Sequence, residues 1–409
     1  MSAYEQFFRQ LDEVGKLSRG KSKHRPRNDP ELYGGMHPFI QTGDVKHSNF
    51  FVTRYTQTYS DKGLAQSKLW PAGTLCITIA ANIADTAVLS FPACFPDSII
   101  GFTAKHGVSN VAFIKYCLDT YKKEMRSISQ GTTQDNLSQG KLLSLKFRIP
   151  DFATQQKIAA ILSTYDDLIA NNQRRITLLE RMAEDIYREW FVRLRFPGHE
   201  NVKVEKGVPQ GWELKKLTDV CTITYGFPFQ GDRFNTVGLG RPIIRIRNIP
   251  DASTGDFTDE IVDQKYIVRT GDLLIGMDGD FHINHWIGDD AYLVQRSCRL
   301  KAKDAALDAY LAHVIRAPIN HFQQTIVGAT VGHLGAKHLN SVEVLIPPAS
   351  FKPQLDALNV LLKQKLQLGA TSRKAQATRD SLLPRLISGK LAVDALDIRF
   401  PPGMAKQNR

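Results

Sequence analysis

The sequence has few cysteines, no long apolar run and a polar amino-terminal end. Its five cysteines are an odd number and form no Cys-x-x-Cys pair, which argues against a disulfide framework and against a zinc knuckle. No apolar stretch reaches the roughly eighteen residues that a membrane helix needs. The first residues, MSAYEQFFRQLDEVGK, are polar and charged, unlike a signal peptide. We therefore expect a soluble, cytoplasmic protein that does not contact a membrane.

Signatures of catalysis are also missing, since the sequence contains no Walker A motif, no HExxH and no GxSxG. The tetrapeptide Ile346-Pro347-Pro348-Ala349 lacks the amide and the ring that amino-methyltransferases use. The stretch 278–284 resembles the start of a calcium loop, but Ile283 stands where the sharp turn needs glycine. His282 and His285 have no thiolate nearby, which favours a surface turn over a metal site. The sequence thus predicts a chain that is not an enzyme and has no cofactor or metal of its own.

Charge is the first positive indication of function. Lysine and arginine number 53 against 41 acidic residues, which gives a formal net charge of +12. A basic balance of this size favours a polyanionic partner. Charge alone leaves the alternative of a generically basic soluble protein.

The chain repeats itself at a nearly constant offset. GTTQDNLSQGKLLSLKFRIP occupies 131–150 and GATVGHLGAKHLNSVEVLIP occupies 328–347, so the offset is 328 − 131 = 197 residues. Earlier counterparts are Leu11 with Leu217, Val14 with Val220, Gly20 with Gly226, and Pro71–Leu75 with Arg269–Leu273. Units of this length are too long for solenoid repeats and indicate two copies of one domain.

A long helical pattern follows each copy. Apolar residues after Pro150 recur at alternating steps of four and three, which indicates a coiled-coil seam of about 50 Å, with Asn172 as a polar residue that sets the register. The pattern after Pro347 is weaker and is interrupted by Gly369 and Pro384. We expect the two helices to pack antiparallel, each supplying what the other lacks. The seam is predicted to contain Ile158, Leu162, Tyr165, Ile169, Ile176, Leu179 and Ile186 in the first helix and Leu355, Leu362, Leu366 and Leu383 in the second.

Between the long helices, short β-branched and aromatic runs are punctuated by Gly, Asn, Asp and Pro, which predicts mostly-β, α+β globules. Each copy has one predicted shorter helix, Asn110–Met125 and Leu307–Phe322. Each copy also ends in a strand-like run, Leu143–Ile149 and Val342–Ile346.

The first copy carries a cationic segment near its start, and its members are Lys16, Arg19, Lys21, Lys23, Arg25 and Arg27. Six cations in twelve residues with no acid between them suit a loop that neutralises phosphates, although a solvated basic loop is an equal alternative. The matching place in the second copy, Tyr225–Arg233, is far less basic and carries Phe227, Phe229 and Gln230.

A second difference between the copies lies in Ile243–Asn248, whose alternation predicts a strand with Arg245 and Arg247 on one face. The first copy has Gln41 where the second has Arg245, and Asp44 where the second has Asn248. Arginine pairs with guanine, glutamine and asparagine with adenine, and aspartate with cytosine, so base readout would differ between the copies. Ordinary surface drift explains the same difference.

The arrangement resembles one family closely, the specificity subunit of type I restriction-modification systems. The residues that carry the resemblance are Gly207–Trp212 with Leu217, Gly271–Ile275, Gln295-Arg296, the Gly-x-Thr to Ile-Pro segment before each helix, and the helix pattern from Gln155 through Leu179. The first copy lacks the Gly-Trp opening. The resemblance covers nearly the whole chain and rests on the duplicated order of these markers.

The resemblance implies an α+β fold with two mostly-β target-recognition domains separated by two long antiparallel coiled-coil helices in an internal pseudo-twofold repeat. The expected segments are 1–150 and 197–347 (with its linker) for the domains, 151–196 and 348–391 for the helices, and 392–409 for the tail. Residues assigned to DNA contact are the six cations of the first copy together with Gln41, Thr42, Asp44, Thr133, Gln134, Tyr225, Phe229, Gln230, Arg245, Arg247, Asn248, Arg296 and Thr330.

The resemblance also implies partners. Each domain would read one half of a split, asymmetric target in double-stranded DNA, and the helices would set the spacer and dock two modification subunits. S-adenosylmethionine, ATP and Mg would lie on the partner subunits, which include restriction subunits. Two alternatives remain at this point: a self-contained DNA methyltransferase or nuclease, disfavoured by the missing motifs, and a coiled-coil scaffold that does not bind DNA.

Overall fold

A computed structural model describes residues 7–129, 137–326 and 332–400. Its contacts divide the chain into two units. Unit 1 comprises Met1–Leu168 and Ala375–Arg409, and unit 2 comprises Ile169–Lys374. Each unit therefore holds one copy of the repeat together with parts of both long helices.

Unit 1 is built on a five-stranded sheet in the order β2-β8-β6-β7-β4, beside the pairs β3-β5 and β1-β9. The pairing is antiparallel except for β4 with β7. The strands are β1 Phe8–Arg9, β2 Gly15–Arg19, β3 Tyr33–Phe39, β4 Phe51–Val52, β5 Gln57–Tyr59, β6 Leu75–Thr78, β7 Thr86–Leu89, β8 Ile99–Ala104 and β9 Phe147–Arg148. The helices are α1 Leu11–Val14, α2 Thr42–Lys46, α3 Asp61–Ala65, α4 Val111–Thr120, α5 Lys122–Ser129, α6 Gln139–Ser144 and α7 Phe152–Tyr187.

Unit 2 contains a four-stranded sheet in the order β13-β21-β18-β19 and a five-stranded sheet in the order β14-β16-β15-β20-β17. The two pairs β12-β22 and β10-β11 complete it. The strands are β10 Val204–Glu205, β11 Val208–Pro209, β12 Glu213–Lys216, β13 Cys221–Tyr225, β14 Phe234–Asn235, β15 Arg241–Ile244, β16 Phe257–Thr258, β17 Ile267–Val268, β18 Leu273–Gly276, β19 Ile283–His285, β20 Ala291–Leu293, β21 Ser297–Ala302 and β22 Glu343–Ile346. The helices are α8 Leu217–Val220, α9 Asp308–Val314, α10 Arg316–Thr325, α11 Ala336–Ser341 and α12 Lys352–Ile387.

The two units share one framework, as the repeat predicts. The order β2-β8-β6-β7 in unit 1 corresponds to β13-β21-β18-β19 in unit 2. The paired glycines Gly20 and Gly226 follow β2 and β13, where a Cβ would come within 2.2 Å of Phe95 O and 2.1 Å of Val294 O, respectively. Since only glycine allows so close a backbone approach, both copies keep it.

The first half of α7 and the last turns of α12 pack together within unit 1. Ile158 and Leu162 are buried in the same apolar core as Leu386 and Ile387. Asp166 accepts hydrogen bonds from the Tyr116 hydroxyl and the Arg379 guanidinium. The start of one helix thus lies against the end of the other, which is antiparallel packing.

Unit 2 shows the complementary contact. Ala183 and Ile186, near the end of α7, pack on the cluster that contains Leu355 and Leu358, at the start of α12. Lys365 Nζ lies 2.7 Å from Glu180 Oε1. Each residue predicted for the seam is buried or half-buried.

Gly369 and Pro384 do not interrupt α12, which is helical over 36 residues. A Cβ at Gly369 would meet Ile287 at 3.2 Å, so the glycine allows the second domain to pack closely on the helix. Asn172 is buried and its Nδ2 has no partner among the described residues. Its role in setting the register stays a prediction.

Three sequence expectations about the elements were wrong in detail. Each predicted short helix is divided, at Tyr121 between α4 and α5 and at Ile315 between α9 and α10. The strand expected from Leu143 shrinks to β9, because Ser138 Oγ accepts a hydrogen bond from Lys141 N at 3.2 Å and caps α6.

Among the described residues, no helix is long and apolar enough to cross a membrane. The five cysteines are free and buried. Burial raises the pKa of the Cys221 thiol to about 11.

Candidate nucleic-acid interface

The cationic segment of the first copy lies on the surface. All six of its lysines and arginines are exposed, the first two on β2 and the others on the segment that follows. Arg25 Nη1 donates to the carbonyls of Ser22 and His24 at 2.7 and 2.8 Å. Arg27 Nη2 lies 3.0 Å from Asp97 Oδ2. The segment is therefore partly ordered by local contacts while it presents its charges to solvent.

Lys68 belongs to this cationic surface, although the sequence pattern did not identify it. Its Nζ lies 3.5 Å from the centre of the Trp70 ring and 3.5 Å from Ser18 Oγ. Partial burial and, secondly, repulsion from Lys21 lower the pKa of Lys68. Through these contacts Lys68 adds a cation beside β2, which carries Ser18 and the first two cations of the segment.

The segment around Arg245, which takes the place of Gln41 in the second copy, does not form the predicted strand. Strand β15 ends at Ile244, and a 3₁₀ turn occupies Ile246–Asn248. Arg245 N donates to Asn248 Oδ1 at 2.9 Å and so caps this turn, which ends the alternation. The prediction that Arg245 and Arg247 leave one face of a strand was therefore wrong.

The same cap occurs in the first copy. Thr42 opens α2, and Gln41 N donates to Asp44 Oδ2 at 2.8 Å. Asp44 and Asn248 thus both cap a turn, each through one side-chain oxygen that accepts a hydrogen bond from the backbone. This capping role explains an acid or amide at both places without base readout.

The arginine and glutamine side chains of these turns have other neighbours. Gln41 Nε2 donates to Gln57 Oε1 at 2.6 Å. The Arg245 guanidinium lies 5.6 Å from the centre of the Phe234 ring, and Arg247 pairs with Asp256. Arg247 is exposed, whereas Arg245 and Gln41 are half-buried.

The aromatic residues of the second copy do not form an exposed stacking surface. Phe229 is 6% exposed and packs with Ile243, Tyr292 and Val294, so it belongs to an apolar cluster, and its assignment to DNA contact stays a prediction. A buried aromatic and a stacking aromatic cannot be told apart in a turn by sequence alone. Tyr225 is half-buried in β13, and burial raises the pKa of its hydroxyl.

Gln230 remains exposed, and its backbone N–H donates to Glu260 Oε1 at 2.8 Å. Thr133, Gln134 and Thr330 lie outside the described residues. Arg296 lies in the turn before β21, with its side chain 66% exposed and paired with Asp278.

Metal chemistry finds no support in the part of the chain that the structure describes, where no group of three or more His, Cys, Asp or Glu side chains could hold an ion. His285 is buried, and burial lowers its pKa to about 3. Asp278, the first carboxylate of the supposed calcium loop, instead accepts hydrogen bonds from Arg296 and His333.

A duplicated α+β domain, with each copy running into a 36-residue helix, places the chain in the class of two-domain proteins with paired long helices. The family model described as "Type I restriction modification DNA specificity domain" matches residues 4–181 and 209–366, one match for each copy. The chain belongs to this family and is a type I restriction-modification specificity subunit. The prediction made from its sequence markers is confirmed.

The chain is 22% identical to the type I restriction enzyme MjaIX specificity subunit of Methanocaldococcus jannaschii over 410 residues, which cover 95% of this chain and 94% of that protein. It is 26% identical to the EcoBI specificity subunit of Escherichia coli over 204 residues, 48% of this chain and 43% of that one. The crystal structure of the type I S subunit from M. genitalium superimposes with a TM-score of 0.57 at 14% identity, covering 93% of this chain and 95% of that chain. This likeness supports the fold.

Proposed function

We propose that this chain is the DNA-reading subunit of a type I restriction-modification complex, and that each unit reads one half of a split, asymmetric target in double-stranded DNA. The observation that carries the proposal is a shared framework with different surfaces. The first copy presents six exposed cations on β2 and the segment that follows it, whereas the segment after β13 buries Phe229 and presents Gln230. Two domains of one fold with different surfaces suit a non-palindromic target.

The two domains would contact DNA by different means. In the first, exposed lysines and arginines, with Lys68 beside them, would bind phosphates and so contribute affinity without sequence information. In the second, ion-paired arginines such as Arg247 and Arg296 present less net charge and more directional hydrogen bonding. Base readout in the second domain would therefore depend on fewer, better oriented groups.

The long helices would set the spacer between the half-sites and dock two modification subunits. A helix of 36 residues is about 54 Å long, which exceeds one turn of B-DNA. Leu178 and Met182, one turn apart on α7, are 57% and 51% exposed, and Val360 on α12 is 52% exposed. Exposed apolar side chains on an otherwise polar helix face suit contact with a partner protein.

The chemistry would reside on those partners. Modification subunits would hold S-adenosylmethionine, restriction subunits would use ATP and Mg, and the complex would act in the cytoplasm. This chain would supply recognition only, which agrees with the lack of catalytic motifs in its sequence.

Selection from a random duplex library tests the proposal. The chain, assembled with its modification subunits, is expected to select a motif of two short words separated by a fixed number of unspecified base pairs. Methylation of DNA by the chain alone would favour the methyltransferase alternative. Absence of any DNA preference would refute the proposal and leave a scaffold role.

A further inference from the structure

The turn that precedes β21 holds Arg296 in an unusual backbone conformation. Its φ is +67°, in the left-handed region that residues with a side chain rarely adopt. Such a conformation persists only where the surroundings compensate for it, and it is often found at binding sites. The surroundings of Arg296 therefore stabilise a backbone conformation that an ordinary surface arginine does not adopt.

Three chain segments hold this arginine in place. Its guanidinium donates to Asp278 Oδ2, while His333 Nδ1 bonds Asp278 Oδ1. Met277 N donates to the Arg296 carbonyl at 2.9 Å, and Leu334 N donates to the Met277 carbonyl at 2.7 Å. The end of β18, the turn before β21 and the segment around His333 are thus connected by side-chain and backbone hydrogen bonds.

The carboxylate beneath the arginine is largely buried. The Asp278 side chain is 12% exposed, whereas those of Arg296 and His333 are 66% and 59% exposed. Burial alone would raise the pKa of Asp278, but hydrogen bonds from His333 and Arg296 outweigh it and hold that pKa below its usual range. Asp278 is therefore an anion at neutral pH and fixes one part of the guanidinium while most of the side chain faces solvent.

A guanidinium held in this way is better suited to a base than to a phosphate. Its charge is offset by Asp278, so it adds little to the non-specific attraction for DNA. Its orientation is fixed, and a planar guanidinium matches the paired O6 and N7 acceptors of guanine in the major groove. An arginine that only neutralises phosphates gains nothing from a buried anionic partner.

The first copy lacks the arginine and the aspartate of this cluster. Strands β8 and β21 begin at Ile99 and Ser297, so Ser98 stands in place of Arg296. Strands β6 and β18 end at Thr78 and Gly276, so Ala80 stands in place of Asp278. The cluster therefore distinguishes the second domain from the first.

Resting on the proposed function, we propose that Arg296 reads a guanine in the half-site of the second domain, with Asp278 as the residue that positions it. The words selected by the two domains then differ at this position because the first domain has serine and alanine at the places of Arg296 and Asp278.

The test compares motifs selected from a random duplex library by the complex of this chain with its modification subunits. Arg296→Ala and Arg296→Lys should both lower the preference for guanine at one position of one word by at least about tenfold, because lysine cannot make the paired contact. The other word should stay unchanged, which also shows that the variant complex is folded. Asp278→Asn should weaken the same position to a smaller extent.

Arg316→Lys is the matched control, since Arg316 forms an ion pair with Glu184 at 3.8 Å in the same unit, with side chains 51% and 35% exposed, and lies outside the residues assigned to DNA contact. It should leave both words intact. If Arg296→Lys keeps the motif and Arg296→Ala weakens binding to all sequences alike, Arg296 contacts phosphate and the assignment is wrong. A wild-type complex that selects no split motif would overturn the proposed function itself.

Discussion

Lengthening both long helices by one heptad should lengthen the spacer of the DNA target. The ion pairs Glu180–Lys365 and Asp166–Arg379 have the same residue-number sum, 180 + 365 = 166 + 379 = 545, so the pairing register is the same at both places. A heptad inserted after Leu168 is therefore matched by one inserted after Gln376. Both insertions lie between the two ion pairs, so each pair is kept, and seven added residues preserve the heptad pattern of the seam.

The expected size of the effect follows from helix geometry. Seven residues extend an α-helix by about 10.5 Å at about 1.5 Å per residue. Duplex DNA rises about 3.4 Å per base pair, so the spacer should grow by about three base pairs, with both words unchanged. Base selection on libraries with randomised spacers measures this directly.

Insertion into α7 alone serves as the control. It shifts the seam by one heptad relative to α12 and separates Glu180 from Lys365, so the complex should lose most of its selectivity. A spacer that stays the same after the matched double insertion would refute the idea that the helices set it.

Three further predictions follow from single contacts. The double substitution Lys21→Ala and Lys23→Ala should weaken binding to all DNA sequences. It should also reduce the slope of log K against log salt by up to about two, as measured by titration at several salt concentrations. An unchanged slope would mean that the segment does not contact phosphates. Asn359 Oδ1 accepts a 3.0 Å hydrogen bond from Ala309 N in the first turn of α9, so Asn359→Leu should lower the free energy of unfolding of unit 2 by about 1–2 kcal/mol in urea. Unchanged stability would contradict this role of Asn359. Burial, with repulsion from Arg316, lowers the folded pKa of His313 to about 4, so the unfolded chain takes up the proton first and stability should fall as pH drops from about 6.5 toward 4. His313→Gln should flatten that decline, and an equal decline in the variant would rule out His313 as its source.

The framework could be predicted from the sequence because backbone requirements repeat with the domain. Gly20 and Gly226 recur since a carbonyl approaches each of them closely, and the step of four and three after Pro150 allows few structures other than a long paired helix. These constraints are local, so one sequence is enough to reveal them.

The candidate interface was harder to predict, because its members meet only in the folded chain. Lys68 joins the cationic segment through Trp70, more than forty residues after Lys21. Asp44 and Asn248 have the side chains of base readers, but each caps a turn. The importance of Asp278 depends on Arg296 and His333, whose positions relative to it no sequence pattern indicates.

The most direct test of the central claim is base selection by the complex from a fully random duplex library. We predict one split motif whose two words differ and whose spacing is constant. A palindromic or continuous motif, or none, would contradict a chain in which two copies of one domain read two different half-sites.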